Sequence, residues 1–398
     1  MRHPAEYSSS IREDANASAG AAARSAHSVP AQKAQGFASS EAQGMKKRIL
    51  LGAILLSFCR SLSAQAGPLP EAVRKAAKDG IASGAYQTLV FAIVDGDRSD
   101  IVACGSFPNH TRPDGDTVYE IGSITKTFTA ILLAEAVQSG RVELDTPLQR
   151  LLPDLKIPSR GRRQITLVDI ATHRSGLPRM PTDFHDEKVL YPPYDLGKLK
   201  TFLATYKMLR EPGAEYEYSN LGFGLLGIAL AESKHASYGS LLEDAILRPL
   251  QMKMTGTKLD AAMRMHLAPG FDEAGKPASS WNFGRFEGFE GAGAIRSTAA
   301  DMLRYLNANM GERTGVLTEA MRFAQTPRSH AGQGDRIGLA WMTQSSEHGD
   351  ILWHNGGTAG YASFIGFRTD KRRGVVILAN SAASVTELGF RYLTSDKP

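Results

Sequence analysis

Ser123 and Lys126 stand three residues apart in the stretch 119–140, YEIGSITKTFTAILLAEAVQSG. A serine hydroxyl is a poor nucleophile until a neighbouring base takes its proton, and a desolvated lysine can help to take it. Positions i and i+3 share one face of a helix, so helical backbone here brings the amine within reach of the hydroxyl. The pattern predicts an extended segment at 118–121, a break at Gly122 and a helix from about 124 to 137. Ser123 then sits at a strand-to-helix corner, where unpaired N–H groups and the helix dipole favour developing negative charge. Phe128, Ala130, Ile131, Leu132, Leu133, Ala134, Ala136 and Val137 make that helix apolar nearly all round, the pattern of a buried helix. The same spacing also suits a helix cap followed by a lysine that reaches solvent. S-x-x-K therefore takes its meaning from the rest of the chain.

Two further stretches carry chemistry. In EPGAEYEYSN at 211–220, Tyr218 and Asn220 lie two apart at a turn before a helix, so both side chains can face one side. Asn220 alone suits a helix cap and Tyr218 alone suits packing. Beside a lysine, however, a phenol can be drawn toward phenolate and act as a base. In WHNGGTAG at 353–360, strand residues run through His354 and Asn355 into Gly356 and Gly357. Paired glycines leave the backbone bare, so a substrate chain can lie against that edge and an N–H there can serve as an oxyanion donor. Taken alone, the stretch also reads as a glycine hairpin with an incidental histidine.

In this order the three stretches resemble the serine β-lactamase and penicillin-binding protein superfamily, whose signatures are S-x-x-K, Tyr-x-Asn or Ser-x-Asn, and K-T-G or H-x-G. Tyr-x-Asn places the resemblance on the class C β-lactamase branch, with its related DD-peptidases and esterases. It runs from about residue 70 to 393 and includes ITLVDIATHRSGLP at 165–178, RPLQMKMT at 248–255 and GAGAIRST at 291–298. The resemblance implies that Ser123 is acylated, that Lys126 and Tyr218 share the proton work, and that Asn220 holds the substrate amide. It further implies an oxyanion hole from the backbone N–H groups of Ser123 and Gly357, with His354, Asn355 and Gly356 binding substrate. Lysine and tyrosine in contact titrate as a pair, so the base belongs to neither alone at this point. The third motif departs from K-T-G: histidine is mostly neutral at pH 7 and Asn355 lacks threonine's hydroxyl. A protonated His354 reading an anionic substrate is one expectation, and a purely packing role is the other.

The elements that must position these residues are legible in outline. A helix is expected over 70–82, and a hairpin from 89–94 and 101–107 around Asp95-Gly96-Asp97. Capping boxes at Thr146/Gln149 and Thr166/Asp169 open short helices. Residues 179–200 read as a loop, 199–209, 221–232 and 238–247 as helices, and 272–290 as irregular and aromatic. Thr298 with Asp301 caps a helix to about 310. Strands follow at 337–343, 351–354, 362–368 and 375–380, then a helix over 385–393. The expected fold class is α+β, a β-lactamase/transpeptidase-like arrangement. One antiparallel sheet comes from both chain ends (about 67–120 and 291–398), flanked by helices, with a mainly helical region inserted at about 121–290.

Composition bounds the partners. The chain has 398 residues, 42% of them hydrophobic and 22% charged, as in a globular protein with a sizeable core. Met45-Lys-Lys-Arg, an apolar core at 49–58 and Ala64-x-Ala66 have the three parts of a secretory signal over 45–66, which implies an exported, periplasmic or secreted protein. Residues 1–44 lack apolar periodicity and read as disordered, or as an upstream segment outside the true reading frame. Past residue 66 the balance is 38 basic against 37 acidic side chains, so the net of +5 lies almost wholly outside the domain and nothing points to nucleic acid. Cleavage after Ala66 leaves Cys104 as the one cysteine, without a disulfide partner. No membrane span is expected once the signal is removed. No cofactor or metal is expected either: His173, His235 and His266 form no metal spacing, Asp183, His185 and Asp186 read as loop, and His348 as surface. The substrate is then a small molecule or a peptidoglycan peptide. The acyl-enzyme machinery suits β-lactam or D-Ala-D-Ala-type amide hydrolysis, ester hydrolysis, or a sensor that is acylated without turnover.

Overall fold

The computed structural model describes residues 60–61, 69–184, 194–280, 288–311, 314–332, 334–347, 349–370 and 373–395. Nearly all of the expected signal segment, the upstream residues 1–44, His185, Asp186 and His348 lie outside them. Among the described residues the main sheet has nine antiparallel strands. Their order is Arg60–Ser61, Arg98–Gly105, Thr88–Asp95, Arg373–Ala379, Ala362–Arg368, Gly349–Gly357, Met342–Ser346, Arg336–Ile337, Ser329–His330. The first hairpin of the domain thus pairs through Thr88–Asp95 with Arg373–Ala379, joining the two ends of the chain. Val90, Ala92 and Val94 face the large core, as do Ile365, Phe367, Val376 and Leu378 on the partner strands. The alternate residues, such as Phe364, meet the C-terminal helix Thr386–Thr394, whose Gly389 lies against the Phe364 ring. The strand period of two therefore builds three layers, with the sheet in the middle.

Helix Thr125–Gln138 is the axis of the large core. From Thr117 through Ala134 every residue is buried except Ser123, which is half-buried. A helix with no polar face has no solvent side, so its neighbours must enclose it. Helix Asn220–Ser233 is likewise apolar on all sides and packs against it, with the short helix Glu290–Gly293 between. That approach needs glycines: a Cβ on Gly227 would sit 3.0 Å from Gly291 Cα, and one on Gly291 would sit 2.7 Å from Phe223 O.

Several boundaries differ from the sequence expectation. The helix after Thr146 forms over Leu148–Leu151, but without a capping box. Thr146 Oγ instead accepts from Glu143 N (2.9 Å), and the Gln149 side chain bonds Leu152, Leu155 and Ile157 backbone. Thr166 and Asp169 do form theirs. Helix Leu196–Thr205 begins inside the expected loop because Asp195 caps it, and the amphipathic helix Val316–Gln325 went unread. Cys104 is disulfide-bonded. The contrary expectation rested on removal of the segment holding the chain's other cysteine, whereas the structure is of the uncut chain. Among the described residues no helix is long and apolar enough to cross a membrane.

Candidate active site

The chain enters the site through strand Val118–Glu120, paired with Arg296–Thr298. A buried Glu120–Arg296 ion pair, 3.3 Å, joins the two strands, and Ser280 Oγ donates to the same Glu120 oxygen. Gly122 then adopts a φ of +48° and the single 3₁₀ turn Gly122–Ile124 precedes the helix. The left-handed conformation suits glycine. It turns Ser123 out of the core and leaves Lys126 inside it.

Lys126 is fully buried. Its Nζ lies 3.0 Å from Ser123 Oγ, 2.8 Å from Asn220 Oδ1 and 2.7 Å from the Ala292 carbonyl. Burial, reinforced by the positive Arg179, pushes its pKa well below the ordinary lysine value. A neutral amine has two N–H bonds and a lone pair, and this geometry accommodates all three. The N–H groups can serve Asn220 and Ala292 while the lone pair faces the serine hydroxyl.

The Tyr218 ring centroid is 4.9 Å from Lys126 Nζ. Burial raises the phenol's pKa, although Arg179 and the Ser123 hydroxyl oppose the rise. Asn220 is not the cap of its helix. Ser219 is, accepting from Gly222 N (2.9 Å) and donating to Pro178 O (2.8 Å), which leaves the Asn220 side chain for Lys126. His173, read as structural from sequence, touches this group from behind. Its ring is 4.3 Å from that of Tyr218 and its Nδ1 accepts from Ser219 N (3.1 Å). Burial holds it neutral.

Opposite Ser123 runs the end of strand Gly349–Gly357. Gly356 packs against the nucleophile turn so tightly that a Cβ would collide with Ile121 O and Ser363 Oγ and come 3.0 Å from Ser123 N. A Cβ on Gly122 would likewise sit 2.7 Å from Gly357 N. The backbones of the two expected oxyanion donors are therefore adjacent. The strand period sends His354 to the core side and Asn355 to the other, where Asn355 Nδ2 donates to Thr386 Oγ1 at 3.0 Å.

His354 meets the expectation of a cation poorly. It is 4% exposed, and its Nδ1 bonds Asn355 O at 2.6 Å. Burial first, and the nearby Lys126 second, push its pKa down to about 3. A neutral imidazole cannot supply the positive end of the site at pH 7. Of the other candidates, Asp183 accepts from Tyr194 OH (2.8 Å). Ala292 and Arg179 were missed: one acts through its carbonyl, which no side-chain motif reveals, and the other looked like an ordinary loop arginine.

The beta-lactamase family profile matches residues 73–393. The chain is 28% identical over 360 residues to the D-alanyl-D-alanine-carboxypeptidase/endopeptidase AmpH of Escherichia coli, covering 84% of this chain and 91% of that protein. It is 27% identical over 299 residues to a beta-lactamase of Pseudomonas fluorescens, covering 67% and 80%. A class C beta-lactamase structure superposes with a TM-score of 0.73 at 23% identity, covering 82% of this chain and 96% of that one. The D-alanine carboxypeptidase AmpC of Burkholderia cenocepacia gives 0.70 at 24%, covering 81% and 99%. These two likenesses establish the fold as that of the class C enzymes. With the profile spanning the serine, the tyrosine and the glycine edge alike, the chain belongs to the beta-lactamase family, a family of serine hydrolases.

Proposed function

We propose that the protein is an exported serine acyl-hydrolase that is acylated on Ser123 and cleaves a D-Ala-D-Ala-type or β-lactam amide bond. The observation that carries the reading is Lys126 Nζ, fully buried and held among Ser123 Oγ, Asn220 Oδ1 and Ala292 O. In this reading neutral Lys126 takes the Ser123 proton as Oγ attacks the carbonyl carbon. The tetrahedral oxyanion is met by the N–H groups of Ser123 and Gly357. Tyr218, kept as a phenol by burial, gives its proton to the departing amine and is reprotonated through Lys126. Water then attacks the acyl-enzyme by the same groups in reverse. Asn220 holds the acyl-side amide, and the bare backbone at Gly356 receives the substrate chain.

Peptidase action is favoured over efficient β-lactam turnover. The third motif lacks the lysine of K-T-G, and a relative matched over 360 residues is a D-alanyl-D-alanine-carboxypeptidase/endopeptidase. Incubation with a D-alanyl-D-alanine peptide, a penicillin and a neutral ester separates the readings. D-alanine release that exceeds penicillin hydrolysis and is abolished in Ser123→Ala is expected. Ester hydrolysis alone, with neither amide cleaved, would make the protein an esterase instead.

A further inference from the structure

Among the described residues, the basic side chains Lys126, His173 and His354, buried around Ser123, are held toward their neutral forms. On the strand-edge side Asn355 is turned to Thr386, and the first turn of the C-terminal helix carries Glu387. A guanidinium stands on the opposite side. Arg179 is exposed, and its Cζ stands 5.0 Å from the centroid of the Tyr218 ring, the ring that Lys126 Nζ approaches to 4.9 Å from within.

Its backbone is fixed to the site. The Arg179 carbonyl accepts from Asn220 N (2.9 Å) and Leu221 N (3.2 Å), and the next residue, Met180, offers its sulfur to Asn220 Nδ2 (3.6 Å). Among the described residues no carboxylate forms an ion pair with it, whereas nearby Arg163 and Arg210 pair with Asp169 and with Glu215 and Glu217. An arginine held over an aromatic face presents planar donors outward in a fixed orientation.

We propose that Arg179 is a specificity-determining residue that binds a carboxylate of the substrate, taking the role that a lysine in the third motif would otherwise fill. A guanidinium matches a carboxylate with two parallel hydrogen bonds. The selected substrates are therefore anionic acyl compounds whose charge comes to lie beside Tyr218 and Asn220.

This proposal rests on the acyl-enzyme reading, and its test separates the two. Two matched substrate pairs are compared, each an ester with a carboxylate or the corresponding carboxamide, the charge lying on the leaving group in one pair and on the acyl group in the other. The ratio of kcat/KM within a pair cancels the influence of Arg179 on Lys126 and Tyr218, because both members use those groups. For at least one pair the wild type should favour the anion by about fivefold to tenfold, as for a partly screened charge-assisted contact. Arg179→Gln should bring that ratio close to one, Arg179→Lys should keep part of it, and added salt should lower it in the wild type. Ratios unchanged in Arg179→Gln for both pairs would overturn the proposal and leave the acyl-enzyme reading standing. Turnover that survives Ser123→Ala would remove both.

Discussion

The floor of the site and its rim treat basic side chains in opposite ways. On the floor, Lys126, His173 and His354 are buried, and low polarity works against their charged forms. On the rim, the Arg179 guanidinium stands in solvent beside the same tyrosine ring. A buried amine near a hydroxyl is useful as a base because it is not a cation. Recognition of an anion needs the reverse, and falls to a group that water still solvates. In a K-T-G enzyme one strand lysine sits at the third motif, whereas here the buried His354 leaves that place without charge.

The contrast can be broken most forcefully at the floor. Lys126→Met keeps the volume and removes the base, and should lower kcat/KM on a neutral ester by about 10²–10⁴-fold. The wild-type profile should also rise with pH through a base whose pKa is well below 10.5, since protonated Lys126 cannot accept the serine proton. A variant within threefold of wild type would show that Lys126 is only a packing group.

A second test separates the backbone floor from its side chains. Gly356→Ala puts a methyl group against Ile121 O and near Ser123 N. Displacing an oxyanion donor should cost about 10²-fold in kcat with a smaller change in KM. Unaltered kcat would mean that the adjacent backbones of Ser123 and Gly357 do not form the oxyanion hole.

The smallest effect concerns His354 and is read from stability and from the charge preference. Its native pKa is about 3 against 6.5 for the ordinary group, so the unfolded chain takes up that proton first as pH falls. Its contribution to stability is fully kept above about pH 6.5 and lost progressively down to about pH 3. The fall in Tm between pH 7 and pH 5 should therefore be smaller in His354→Gln than in wild type. The anionic-to-neutral substrate ratio should stay flat from about pH 6 to 8 in wild type. A ratio that declines through that range would return the cationic role to His354.

Much of the site was legible in the sequence because its chemistry lies in short runs whose local structure follows from residue type. Ser123 and Lys126 share a turn, Tyr218 and Asn220 straddle the cap Ser219, and Gly356 and Gly357 end a strand. The sheet from both chain ends followed from hairpins at each end. What escaped the sequence depends on distance in space. Burial of His354 comes from its pairing opposite Ile365 and from the helices beyond, so a solvent-exposed pKa was the wrong reference. Ala292 reaches Lys126 only because glycines let two helices touch. The Thr146 hydroxyl was taken by Glu143 N, a competition that a four-residue capping pattern does not display.

Catalysis through Ser123 is tested most directly by where an acyl group attaches. The protein is incubated briefly with an activated ester and, separately, with a penicillin, quenched in acid, and followed by intact-mass and peptide mass spectrometry. One acyl adduct per chain is expected on the peptide containing Ser123, absent in Ser123→Ala and slow to form in Lys126→Met. An adduct on another residue, or substrate turnover by Ser123→Ala at the wild-type rate, would contradict it.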